Sequence, residues 1–469
     1  MSSNKLLKQL IYQIIDNKID KIKFIRKFFK NITDDDFDIL LSALKLNKSI
    51  KKINFMNVTL SQKNFEKFCD FMQNNTNITT LYITHLNSVF NVVNSKYSNN
   101  INFYKYLDDM KKELNNCKCL NNCIEYINNI DYFNNIYNNL LEDILNNNMS
   151  SIFNMIINNK SLRKIRFELD DYNLFSKVLC KNNNINYINS KHIVKGFDFI
   201  IDILNNNNNI TTLNTYLMIN DYTYNNNNSI NLYNNFINFC KTIETNQSLQ
   251  KIKITGIKEQ FISDDIINDV ISMFFNSLIK NKSIKYIKFK NGIIRDHLTF
   301  DYNMFINLLQ NNNRIEELYI KYNKFITDEC GCKFIGFNKF LEYLQFNKTL
   351  KRLQLPYNED VNTKLLALII KNNKTLEYLN ISKLNVTNLD LFFEYLKENT
   401  TLKILNLKKL TIPFIKENIN EVLQYNKNIN IIYEENNPIK SHIIKNYYMN
   451  KKQDEPNDND SDNNDIELD

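Results

Sequence analysis

The sequence is short of the residues that punctuate, cross-link and activate most chains. Five glycines in 469 residues leave no phosphate-loop signature, and they predict irregular turns wherever a repeat would ordinarily place glycine. Eight cysteines in a chain of this length do not make a disulfide framework. Cys117, Cys119 and Cys123 cluster, and Cys330 and Cys332 flank Gly331, but no second pair or histidine stands at zinc spacing. They read as buried or incidental thiols, and no metal site is expected. The four histidines, His85, His192, His297 and His442, are scattered, and neither a Ser/His/Asp arrangement nor an HExxH helix is present. We therefore expect no catalytic residue, no cofactor and no enzymatic activity.

Long apolar runs are missing as well. Nothing approaches the roughly 18 uninterrupted apolar residues of a spanning helix. Lys8, Gln9, Gln13 and Asp16 break the amino-terminal segment before a signal-peptide core can form. The expectation is an intracellular, cytoplasmic protein in a reducing compartment, with no membrane partner. In that setting the sequons at Asn281-Lys282-Ser283 and Asn347-Lys348-Thr349 are part of a repeat rather than glycosylation sites.

What is abundant is asparagine, with 88 residues and runs such as 205–209 and 225–228. Such a bias reflects AT-rich coding DNA and carries no function by itself. Hydrophobic residues make up 43%, enough for a continuous core. They are arranged in a repeat, clearest as Asn347-Lys-Thr-Leu350-Lys-Arg-Leu353-Gln-Leu355, Asn373-Lys-Thr-Leu376-Glu-Tyr-Leu379-Asn-Ile381 and Asn399-Thr-Thr-Leu402-Lys-Ile-Leu405-Asn-Leu407. The period is 26 residues. A fixed apolar template at such a period means stacked units that bury their faces against one another.

Taking the first template leucine or isoleucine as position n, further copies begin at Ile50, Ile78, Leu162, Ile185, Ile210, Leu249, Ile284 and Ile315, with a weak last copy at Ile429. Positions n+3 and n+5 share one face of a short strand because strand side chains alternate. The segment after it, as in Leu389, Phe392, Phe393 and Leu396, has helical spacing. The asparagine that opens most copies suits the helix-to-strand turn, where its amide can bond loop backbone.

This template, with helices between copies, resembles the leucine-rich repeats of the ribonuclease-inhibitor type. The resemblance covers roughly residues 31–434 and implies an α/β solenoid, a horseshoe with a concave parallel β-sheet and convex helices. It implies a platform for other proteins, most often on the concave sheet, and one branch of the family activates small GTPases. The domain reading is a helical amino-terminal cap over 1–30, the array over 31–434 with a divergent Asn-rich section at about 87–150, a carboxy-terminal cap segment over 435–452, and an acidic, disordered tail over 453–469. Spacings of 39 and 35 residues in the middle predict longer loops there.

The parity that buries n+3 and n+5 exposes n+2, n+4 and n+6. Of 33 such positions eleven are basic, six are tyrosine, and only Glu168 and Glu317 are acidic. The run from Lys164 to Lys321 is the candidate binding surface: Lys164, Arg166, Tyr187, Lys191, Lys251, Lys253, Tyr286, Lys288, Lys290, Tyr319 and Lys321, with Arg352 beyond it. Positive charge interleaved with rigid rings fits a protein partner with an acidic surface. The plainer reading is that lysine and tyrosine are simply common in this chain. A nucleic acid is the alternative partner, bound electrostatically. GTPase activation is a further alternative, for which Arg295-Asp296-His297 would supply the catalytic arginine. The chain is expected to be a monomer. The whole chain carries +8, and the tail holds eight acidic side chains and no basic one, so the remainder carries +16. The tail's plain role is solubility; its sharper role is competition with an acidic ligand for the basic face.

Overall fold

The computed structural model describes residues 3–25, 32–56, 58, 60–84, 151–167, 173–190, 197–220, 226–260, 264–290, 302–321, 332–356, 361–384, 386, 388–410, 415–434 and 441–444. The expected divergent section at 87–150 and the acidic tail at 453–469 lie outside the described residues. The protein is an α/β leucine-rich-repeat solenoid in which every expected template forms a strand. Two compact units divide at Ile185/Asn186. In the first, β1 (Lys21–Ile25), β2 (Lys52–Met56), β3 (Thr80–Thr84) and β4 (Lys164–Phe167) pair in parallel and in chain order. In the second, β5 (Tyr187–Ser190), β6 (Thr212–Asn220), β7 (Lys251–Gln260), β8 (Tyr286–Lys290), β9 (Glu317–Lys321), β10 (Arg352–Gln354), β11 (Tyr378–Asn380), β12 (Ile404–Asn406) and β13 (Asn430–Glu434) do the same. The last strand, β14 (Ser441–Ile444), pairs antiparallel with β13 and is the described part of the expected 435–452 cap.

Helices connect the strands because parallel neighbours require a crossover, and each helix lays its apolar stripe on the n+3/n+5 face. In the helix Asp34–Leu46 that stripe is Phe37, Leu40, Leu41 and Leu44, all buried. Thr33 caps it reciprocally with Asp36, which satisfies two backbone donors at the helix start. At n+3, Ile53, Leu81 and Ile165 are buried in the first unit, and Leu213, Ile252, Ile287, Leu318, Leu353, Leu379 and Leu405 in the second.

The template asparagine at n−3 links the units of the stack. In Asn373, Oδ1 accepts the backbone N–H of Thr375 (2.9 Å) and Leu376 (2.8 Å), while Nδ2 donates to the carbonyls of Leu344 (2.7 Å) and Asn347 (3.1 Å) one repeat earlier. Leu344 ends the preceding repeat's helix, so the amide satisfies a carbonyl that helix geometry leaves without an intrahelical partner. The same backward reach recurs at Asn281 to Ile243 and Asn246, at Asn312 to Leu278 and Asn281, and at Asn426 to Leu396 and Asn399. In the first unit it recurs at Asn159 to Met72 and Asn75, and at Asn182 to Ile156 and Asn159. Asn347 differs: a Gln345–Phe346 turn comes after its helix, and its Nδ2 donates to the Tyr343 hydroxyl. A second line of bonds comes from Ser or Thr at n−1. Ser283 and Thr375 each donate to two carbonyls of the previous repeat.

Four features depart from the sequence reading. The helical cap is shorter than 1–30: the helix spans Ser3–Ile15 and Lys21–Ile25 is strand β1, so the array starts before residue 31. The Ile22/Ile25 spacing fits a helix, but the decisive pattern is Ile22 and Phe24 buried between the half-exposed Lys21 and Lys23, which has period 2. The long middle spacings go substantially into longer elements, namely β6 and β7 of nine and ten residues and helices of 20 and 17 residues at Asn226–Thr245 and Asp264–Lys280. The β6/β7 register shifts between Thr215 and Leu217. At the weak last copy the strand slips by one: Leu405 pairs with Ile431 rather than Ile432, and Ile431 and Tyr433 take the buried positions. Finally, where glycine is scarce, Lys383 (φ 64°) and Lys409 (φ 62°) adopt the left-handed backbone after β11 and β12, one period apart.

Asn373→Ala deletes five hydrogen bonds in a buried turn, the four above and one from the Thr375 hydroxyl, and is expected to lower unfolding stability by about 2–3 kcal/mol. Asn206→Ala, on an exposed helix end, should change it by less than about 0.5 kcal/mol. Urea titration of both variants checks this. Lys383→Gly relieves a left-handed lysine and should raise stability by up to about 1 kcal/mol, read as a higher unfolding midpoint.

Candidate functional site

The candidate residues whose side chains are described stand on the sheet face opposite the helices, and strand register decides their neighbours. Pairing places Lys251, Tyr286, Glu317, Arg352 and Tyr378 in one row at n+2. Lys253, Lys288, Tyr319, Gln354 and Asn380 form the adjacent row at n+4. Neighbouring strands are about 4.8 Å apart, so long side chains in these rows pack sideways against each other. That lateral packing buries positions that alternation alone would expose. Tyr319 is fully buried, and Tyr187, Tyr286 and Lys288 retain 5–7% exposure.

The tyrosines thus act chiefly as supports for the cations. Tyr286 and Tyr319 stack with centroids 5.0 Å apart. Lys251 and Lys253 lie 5.7 and 5.9 Å from the Tyr286 centroid, and Lys253 lies 6.0 Å from that of Tyr187. Lys288 stands 5.8 Å from Tyr319, and the Arg352 guanidinium 4.5 Å from Tyr378. A ring face attracts a cation electrostatically, so each ring fixes a long, otherwise mobile side chain. Around Tyr319 the packing becomes a bonded network. Arg352 Nε donates to the Tyr319 hydroxyl (3.0 Å), the hydroxyl donates to Glu317 Oε2 (3.0 Å), and Arg352 lies 3.6 Å from Glu317. Burial and the neighbouring Glu317 charge push the Tyr319 hydroxyl well above its ordinary range. For Arg352 burial acts downward, but the bond to Tyr319 and the Glu317 charge outweigh it and hold the guanidinium charged.

The first unit carries a second set that the sequence reading largely passed over. Register aligns Lys21, Lys52, Thr80 and Lys164 in the n+2 row, and Lys23, Asn54, Tyr82 and Arg166 in the n+4 row. Lys52 lies 4.6 Å and Arg166 6.0 Å from the Tyr82 centroid. Lys21 and Lys23 escape a reading that takes their strand for helix; the alternation of Ile22 and Phe24 is the signal that finds them.

The structure therefore brings together Lys164 with Arg166 in the first unit, and Tyr187, Lys251, Lys253, Tyr286, Lys288, Tyr319 and Arg352 in the second. Lys191 lies outside the described residues, as does Arg295-Asp296-His297. For Lys290 and Lys321 only the backbone, in β8 and β9, is described. Among the thiols, burial pushes Cys240 up to about 12 and Cys69 higher still, so both are inert, protonated core groups. No described helix is long and apolar enough to cross a membrane.

No protein-family model and no curated protein matches the chain. Among solved structures it is similar to a structural-genomics target from Bacteroides fragilis, at 12% identity and a TM-score of 0.31, covering 58% of this chain and 74% of that one. It is also similar to TLR13, solved in complex with the single-stranded RNA ssRNA13, at 13% identity and a TM-score of 0.25. There the match covers 85% of this chain and 56% of that one.

Tyr319→Phe keeps the stacked ring but removes the hydroxyl between Arg352 and Glu317. It should cost about 1–3 kcal/mol of stability by leaving Arg352 Nε without its acceptor, whereas Tyr425→Phe, on an exposed ring, should be neutral. Thermal unfolding of the two variants makes the comparison.

Proposed function

We propose that this chain is a non-enzymatic protein-interaction scaffold that binds an acidic partner on the open face of its sheet. The carrying observation is the charge of that face: across the described n+2 and n+4 rows lysines and arginines stand over tyrosine rings, and the one carboxylate, Glu317, is already engaged by Tyr319 and Arg352. Opposite charge steers encounter, and pre-positioned cations lose less freedom on binding. A helix between strands and a 26-residue period support repeats of the ribonuclease-inhibitor type. The working picture is a monomer acting inside the cell.

The covered rings weigh against a nucleic acid, since single-strand binders stack bases on open aromatic faces. The tyrosines here have cations beside them and little exposure.

The test is binding of a labelled poly-glutamate peptide to the full chain, measured by fluorescence anisotropy. Binding at about 0.02 M salt that weakens at least tenfold by about 0.15 M is expected from screening of exposed charge. Absence of binding at low salt overturns the proposal.

A further inference from the structure

Resting on that reading, we propose that the docking site is the open face of the first unit, and that its occupant is an extended acidic segment of a partner protein. Five cations meet there on three of four consecutive strands: Lys21 and Lys23 on β1, Lys52 on β2, and Lys164 and Arg166 on β4. Neither row contains a carboxylate on these strands, whose remaining members are Thr80, Asn54 and Tyr82. The second unit differs in this respect, because Glu317 lies in its n+2 row and offsets Arg352. Accessibility is similar in the two units: Lys164 is exposed and the other four are half-buried in the first, while in the second Lys251 is exposed, Lys253 and Arg352 are half-buried and Lys288 is buried.

Geometry favours an extended peptide. The two rows are separated by two residues along each strand, about 6.6–6.8 Å. An extended chain repeats its same-face side chains at that distance, so alternate carboxylates of a Glu-x-Glu pattern can meet both rows at once. Charge-assisted bonds between ammonium or guanidinium groups and carboxylates are the stronger class of hydrogen bond. The single aromatic ring in the two rows, Tyr82, is 8% exposed with Lys52 and Arg166 beside it, leaving little platform for a base.

The experiment compares two full-length variants that each remove two positive charges, Lys21→Gln/Lys164→Gln in the first unit and Lys251→Gln/Lys253→Gln in the second. The probes are labelled poly-glutamate and an oligothymidylate of matched charge. The proposal expects the first variant to lose at least tenfold in poly-glutamate affinity and the second less than threefold. It also expects Lys21→Arg/Lys164→Arg to bind like wild type and to show that the fold tolerates the site. Equal losses in both variants, or a larger loss in the second, overturn the location while leaving the acidic-partner reading intact. Tighter binding of oligothymidylate, lost in the same first-unit variant, overturns the partner class. No poly-glutamate binding by wild type defeats this inference and the reading it rests on together.

Discussion

The interaction on which the rest of this structure depends is the buried asparagine amide that closes one repeat and reaches back to the last. A parallel array has a recurring difficulty: every helix ends with carbonyls that lack intrahelical partners, directly above a core where water cannot reach them. Asparagine answers it because one side chain holds both an acceptor and two donors. Its oxygen folds the local turn onto n−1 and n, and its nitrogen satisfies the previous helix end and the previous asparagine's own carbonyl. Aspartate would lose the donors, and serine reaches less far. The asparagines at n−3 therefore have a structural reason, distinct from the coding bias to which the sequence reading assigned the loop asparagines.

With the stacking distance set by that ladder, side chains on the open face have little freedom to avoid one another. Rows of residues about 4.8 Å apart become a lateral layer, and large rings within it become buried even though no helix covers them. In each unit the outcome resembles a second, thinner core, made of Tyr82 in the first and of Tyr187, Tyr286 and Tyr319 in the second, with the stems of lysines and arginines beside them. Long cationic side chains can bury their stems in this way while keeping the charge near water. Rings whose composition suits them to touching a partner instead orient the groups that would.

How much of this is legible in the sequence depends on which regularities a linear pattern records. The n+3 and n+5 positions can be numbered because apolar burial forces a strict template, and each numbered copy folds as a strand. The n−3 asparagine can be assigned to a turn, but its backward bonds cannot be seen, since the carbonyls they reach belong to residues 23–87 positions earlier. Strand β1 escapes because Ile22 and Ile25 fit a helix while Ile22 and Phe24 fit a strand, and five residues offer too few positions to separate the two periods. The slip at β13 leaves the Asn426–Ile429 turn in place and shifts only the strand beyond it. Burial of Tyr319 depends on the size of residues on adjacent strands, information that a single strand's alternation does not contain.

The edge along which the strands begin shows why charge on the open face carries meaning. At n+1 the sign alternates over the five repeats from Lys285 to Lys403, so that Lys351 pairs with Glu316 and Lys403 with Glu377, both at 2.9 Å. These exposed pairs contribute little stability, but they show that lysine-rich composition does not by itself exclude acidic residues from a row. One and three residues further along the same strands, the n+2 and n+4 rows hold Glu317 as their one described carboxylate. Composition acts on both places equally, yet carboxylates recur at the rim and, Glu317 aside, are absent from the two described rows. The asymmetry is a property of position in the fold, which is where selection for a binding surface would act.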